Sequence, residues 1–110
     1  MGQDSNTDRE RRRFKRKEFK IRIGVLRQGQ FRFEQGVEIG EGGMMIHART
    51  KFNQGETIEI CFFVTSEDFF IVKGEVVYSF EHGSGHHYGG VRFLSPGPEL
   101  QEKIRKYVGD

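Results

Sequence analysis

The chain has 110 residues, 35% of them hydrophobic and 31% charged, with eleven Phe, fifteen Gly, two Pro and no Trp, so it suits one domain with a small aromatic core. No run of about 18 apolar residues is present, which excludes a helical membrane span; the single Cys61 excludes an internal disulfide and fits a reducing cytoplasm. Net charge is only +2, but residues 9–22 hold nine Lys or Arg against two Glu, and the other residues hold nine basic against fourteen acidic side chains, so the positive field is local and calls for an anionic partner near the N-terminal segment.

Residues 1–8 are polar and are expected to be disordered. The opening MGQDSNTDRE lacks the apolar stretch of a secretory signal, and its partial match to a myristoylation start, with Asn6 where Ser or Thr belongs, is read as chance. From Phe19 to Leu26 the period is two, which predicts a strand with Phe19, Ile21, Ile23 and Val25 inward. RQGQ turns the chain at Gly29. FRFEQGVEI predicts a second strand with Phe31, Phe33 and Val37 inward and a shift of alternation, and so a bulge, at Gly36. Gly40, Gly42 and Gly43 predict a tight turn before a strand over 44–48. A loop with a turn at 53–55 follows, and then a strand over 57–65 burying Ile58, Ile60, Phe62 and Val64. A long strand over 69–80 carries Phe70, Val72, Val76, Tyr78 and Phe80 on its inner face. EHGSGHH is a loop, and YGGVRFL is a last strand with Val91 and Phe93 inward. Leu100, Ile104, Tyr107 and Val108 have helical spacing, so one amphipathic helix is expected over about 98–108. The sum is a mainly β chain: a small six-stranded antiparallel barrel with a C-terminal α-helix, organised as a flexible tail over 1–10 and a single domain over 11–110.

The segment RRRFKRKEF places Arg12 and Arg16 in an RxxxR spacing, and about twenty residues later EIGEGG places Glu38, Gly40 and Gly43 at positions one, three and six of a second motif. With the GGVRF ending of the last strand and the closing helix, this resembles PilZ domains, the bacterial receptors for cyclic di-GMP, over nearly the whole chain. Their signature is RxxxR followed by (D/N)xSxxG. The resemblance implies that Arg12 and Arg16, with Arg13 beside them, grip phosphate and guanine, because a guanidinium fork suits both. It implies that Glu38 accepts from a guanine edge and that Gly43 allows close approach. Glu38 stands where the family has Asp or Asn, and Gly40 stands where it has Ser, so only backbone is available for the serine's bond, a loss of about 0.5–1.5 kcal/mol.

The function implied is a cytoplasmic cyclic di-GMP receptor or adaptor that orders its basic N-terminal arm on binding and signals to a bacterial effector protein. No cofactor is expected beyond the ligand. The alternative is a degenerate PilZ domain that no longer binds cyclic di-GMP and serves as a protein-interaction adaptor. A third class, a small barrel whose basic arm and aromatics hold RNA or single-stranded DNA, is weighed, but nucleic acid is not the expected partner. No catalytic set is found, so an enzyme is not expected. His82, His86 and His87 lie in a Gly-rich loop without a nearby Cys and are read as polar loop residues, so no metal is expected. Cys61 is read as a small packed hydrophobe on a strand.

Overall fold

The computed structural model describes residues 15–109. Seven strands and one helix follow in order: β1 Arg16–Glu18, β2 Arg22–Arg27, β3 Gln30–Gly40, β4 Gly43–Ala48, β5 Thr57–Thr65, β6 Asp68–Glu81, β7 His87–Leu94 and α1 Pro98–Gly109. The strands pair antiparallel around a closed circuit, β2–β3–β4–β7–β6–β5 and back to β2. Six strands therefore form the barrel, and β1 is an extra short strand laid along the last three residues of β3. Closure leaves the barrel strands without free edges. The β2–β3 hairpin turns through Gln28 and Gly29, both at positive φ, the backbone that a two-residue turn needs to match strand twist.

The inner faces follow from alternation. Ile23 and Val25, Ile39, Met44, Ile46 and Ala48, Ile58, Ile60, Phe62 and Val64, Val72 and Val76, and Val91 and Phe93 are all buried. Phe52, fully buried from the β4–β5 loop, plugs one end of the barrel, where burial of such a side chain stabilises by about 1.5–3 kcal/mol. Arg27 locks that plug. Its guanidinium makes two hydrogen bonds to Glu56 at 2.8 and 3.0 Å, bonds Thr50 Oγ1 and the Lys51 carbonyl, and lies 4.3 Å from the centre of the Phe52 ring. The opposite end is covered by α1 through Leu100 and Ile104, with Phe19 edge-on to both Phe62 and Tyr107.

Three expectations are corrected. The first strand does not run from Phe19. Phe19 is buried, but residues 19–21 form a kink, with the Ile21 N–H bonded to the Phe19 carbonyl, and β2 begins at Arg22. Phe31 and Phe33 face outward, not inward. The register of β3 against β4 slips between Gly36 and Glu38, so one extra residue, Val37, separates inward Ile39 from inward Gly36 and reverses the parity of everything before it. Tyr78 and Phe80 face outward for the same reason, because β6 slips against β7 between Val76 and Tyr78.

Candidate functional site

The Gly-rich corner is built where β1, β3, β4 and β7 lie side by side. Pairing aligns Arg16, Gly40, Gly43, Arg92 and Glu75 in one row across five strands. The next outward row is Glu18, Glu38, Met45, Gly90 and Tyr78. Ile39, Met44 and Val91 between the rows are buried in the core, so both rows face out of the barrel. Three strand intervals separate Arg16 from Arg92, on the order of 14 Å. Between them the floor is glycine backbone, with Glu38, Met45 and Tyr78 along one side.

The glycines are required by packing. A Cβ on Gly43 would stand 2.0 Å from the Val91 carbonyl oxygen, so β4 and β7 approach too closely there for any side chain. A Cβ on Gly40 would stand 2.7 Å from the Lys15 carbonyl oxygen and 3.3 Å from Arg16 Cγ. Gly40 is thus covered by the strand that carries Arg16. On Gly90 the Tyr78 ring lies flat, 2.2 Å from where a Cβ would be. Tyr78 also begins a run of near-parallel rings through Phe80, Tyr88, His47 and His86.

Arg16 Nη1 donates to Glu38 Oε1 at 3.1 Å, with both side chains about one-third exposed (35% and 31%). Arg92 pairs with Glu75. Helix α1 holds both walls of the corner. The Tyr107 hydroxyl donates to the Glu18 carbonyl at 2.8 Å, and Lys17 Nζ donates back to the Tyr107 carbonyl at 3.2 Å. Arg105 makes two hydrogen bonds of 3.1 Å to the Glu41 carboxylate in the β3–β4 turn. These bonds, with the negative charge of Glu41, push the Arg105 guanidinium still further toward its charged form.

The structure brings Arg16, Glu38, Gly40 and Gly43 together; Arg12 and Arg13 lie outside the described residues. Arg16 stands in a paired strand rather than in a loose segment. Sequence reasoning missed Tyr78, Met45 and Arg92 as neighbours of the corner. The signal for Tyr78 was the unbroken Val76-Val77-Tyr78, three large apolar residues where a period of two allows no such run. Among the described residues no group of three His, Cys, Asp or Glu side chains converges to hold a metal. His86 instead meets His47, Nδ1 to Nε2, at 3.1 Å. Among the same residues no helix is long and apolar enough to cross a membrane.

The sequence profile of the PilZ domain matches residues 10–110. The chain belongs to the PilZ family. Solved structures agree on the fold. The inhibitor of motility MotI/DgrA of Bacillus subtilis superposes with a TM-score of 0.78 at 15% identity, covering 89% of this chain and 49% of that one. The PilZ domain of YcgR from Escherichia coli, solved with c-di-GMP, gives 0.73 at 14% identity, covering 90% and 89%. The PlzA protein of Borreliella burgdorferi, also in complex with c-di-GMP, gives 0.58 at 14% identity, covering 98% and 55%. This PilZ chain therefore spans about half the length of MotI and PlzA and nearly all of the isolated YcgR domain. No curated protein matches the sequence.

Proposed function

We propose that this PilZ chain is a receptor module for cyclic di-GMP, held on the outer face at Gly43, between Arg16 and Glu38 on one side and the Tyr78 ring on Gly90 on the other. The observation that carries the reading is the cross-strand adjacency of Arg16 and Glu38 to the partly exposed Gly43, with the Tyr78 ring lying on Gly90 beside it. Arg16, with Arg12 and Arg13 from the preceding segment, supplies guanidinium groups for phosphate and for the O6 and N7 edge of guanine. Glu38 accepts from guanine N1–H and N2–H. The exposed Tyr78 ring offers a purine a stacking surface, and Arg92 stands at the far end for a second anionic oxygen.

Ligand entry must separate Arg16 from Glu38. An ion pair this exposed contributes about 0–1 kcal/mol, whereas a bidentate guanidinium–guanine contact is worth about 1–3 kcal/mol, so the exchange favours the ligand. Ordering the basic arm costs conformational entropy that these contacts must exceed. The ordered arm then presents an altered surface to an effector protein in the cytoplasm; no catalytic step is assigned.

A second reading, a PilZ adaptor that recognises a protein without nucleotide, is favoured by one observation: the Lys15 backbone fills the space over Gly40 that a motif serine would use. Amide NMR separates the two. Addition of cyclic di-GMP is expected to shift resonances of residues 16–18, 38–45 and 90–92 while leaving 50–58 in place. A spectrum unchanged by ligand would leave the adaptor reading standing and remove the receptor reading.

A further inference from the structure

The four adjacent strands β3, β2, β5 and β6 carry a second outward surface that the nucleotide reading does not use. Pairing sets Phe33 beside Gly24, Gly24 beside Cys61, and Cys61 beside Ile71. It sets Phe31 beside Leu26, and Phe63 beside Phe69. The rings of Phe31 and Phe33 meet edge-to-face at 5.3 Å and those of Phe63 and Phe69 at 4.9 Å. Gly24 leaves no gap between the two aromatic pairs, since a Cβ there would stand 2.6 Å from both Cys61 Sγ and the Phe31 ring. Leu26, Phe31, Phe33, Phe63, Phe69 and Ile71 are each 39–62% exposed. At roughly 200 Å² per fully exposed large side chain they present on the order of 600 Å² of apolar surface, with the charged Arg22 and Glu59 set among them on β2 and β5. That is the upper end of what a monomer normally leaves in water, about 300–600 Å².

We propose that this wall pairs with the same wall of a second copy of the chain. Two features select that occupant. The first is area: a stable interface buries about 800 Å² per partner, and the six apolar side chains alone account for roughly three-quarters of that. The second is charge. Arg22 and Glu59 lie on the two central strands of the wall, displaced in opposite directions from the Gly24–Cys61 centre, with Lys73 across the ladder from Glu59 and the Arg22 guanidinium 5.5 Å from the centre of the Phe33 ring. A two-fold axis lying in the interface, through that centre and perpendicular to the line joining these two charges, sets Glu59 of each copy against Arg22 of the other. A two-fold interface is self-complementary in this sense, and the paired charges fix its orientation. The proposal is independent of ligand binding.

Sedimentation velocity of the full chain from roughly 1 to 300 µM, a range that reports micromolar association, tests it. The expected mass rises from 12.8 kDa toward twice that value. Phe33→Glu combined with Ile71→Glu is expected to hold the chain at the monomer mass with an unchanged thermal melt, both side chains being exposed. Arg22→Glu and Glu59→Arg are each expected to weaken association by about tenfold, and the two together to restore it. A mass of 12.8 kDa at every concentration would overturn the proposal and leave the wall to a different protein or domain. A dimer indifferent to Phe33→Glu and Ile71→Glu, or a double charge reversal without rescue, would overturn it as well.

Discussion

Arg16 and Glu38, twenty-two residues apart, are joined by a 3.1 Å ion pair across β1 and β3. The segments carrying the RxxxR spacing and the glycine corner thus engage each other directly. Glu18, not Arg16, stands opposite Glu38 in the register, so the guanidinium reaches diagonally to the Glu38 carboxylate and offsets the like-charge pair that the two glutamates make across the ladder. Arg16→Ala is therefore expected to change stability by less than about 1 kcal/mol while weakening cyclic di-GMP binding at least about tenfold, a 1.4 kcal/mol loss. Parallel urea melts and calorimetric titrations of the variant check both halves of that statement.

Gly40→Ser restores the family's residue yet is expected to destabilise this chain. Its Cβ would stand 2.7 Å from the Lys15 carbonyl, so β1 must lift from β3. Overpacking of this kind costs about 1–3 kcal/mol, a fall of several degrees in Tm, with loss of amide-exchange protection at residues 16–18. Gly43→Ala, with its Cβ 2.0 Å from the Val91 carbonyl, is expected to cost more than Gly40→Ser. A Gly40→Ser melt equal to that of the parent would show that β1 has room to spare.

Much of this architecture was legible in the alternation of apolar residues. The inward set of β5 reads directly from Ile58, Ile60, Phe62 and Val64, because nothing interrupts the period. The helix reads from Leu100 and Ile104 in the same way. The misassigned faces trace to two extra residues, Val37 and Val77, and the late start of β2 to the kink at residues 19–21. Counting back from buried Ile39 without a bulge puts Val37, Phe33 and Phe31 inward; with one extra residue the same count puts Gly36 and Glu34 there and turns both Phe outward. Gly36 signalled the interruption, but a glycine does not say on which side of it the parity changes. At the site, Arg16, Glu38, Gly40 and Gly43 were legible as spacing. Tyr78 and Arg92 were not, because their proximity to the corner exists only once β6, β7 and β4 are in register. Nor does spacing show that α1 anchors β1.

Tyr107→Phe removes the hydroxyl that bonds the Glu18 carbonyl at 2.8 Å. A cost of about 0.5–1.5 kcal/mol is expected, concentrated in β1. Hydrogen exchange of Arg16 to Glu18 should accelerate while that of β5 stays unchanged. Uniform acceleration would mean that the bond serves the whole barrel rather than β1.

Arg27→Ala is expected to be the most damaging of the charge deletions, because Glu56 is only 7% exposed and would be left unpaired. Leaving the largely buried carboxylate without its partner costs about 1–3 kcal/mol, readable as a lowered urea midpoint. Burial pushes the Glu56 carboxyl up, but the hydrogen bonds from Arg27 and the Asn53 N–H, with the Arg27 charge, more than offset this and hold it below the usual glutamate value. Since its folded pKa is depressed, its stabilisation is complete above the unfolded value of about 4.3 and is lost as pH falls through the folded one. Glu56→Gln should flatten that acid limb of the stability curve. A limb as steep as the parent's would assign it to other carboxylates.

Calorimetric titration of the full chain with cyclic di-GMP tests the central claim most directly. Saturable binding with a Kd below about 10 µM, some −7 kcal/mol, abolished or weakened at least about tenfold by Arg16→Ala, is the predicted result. Absence of heat and of saturation up to roughly 500 µM ligand, weaker than about −4.5 kcal/mol, from a chain with an intact thermal melt, would contradict it.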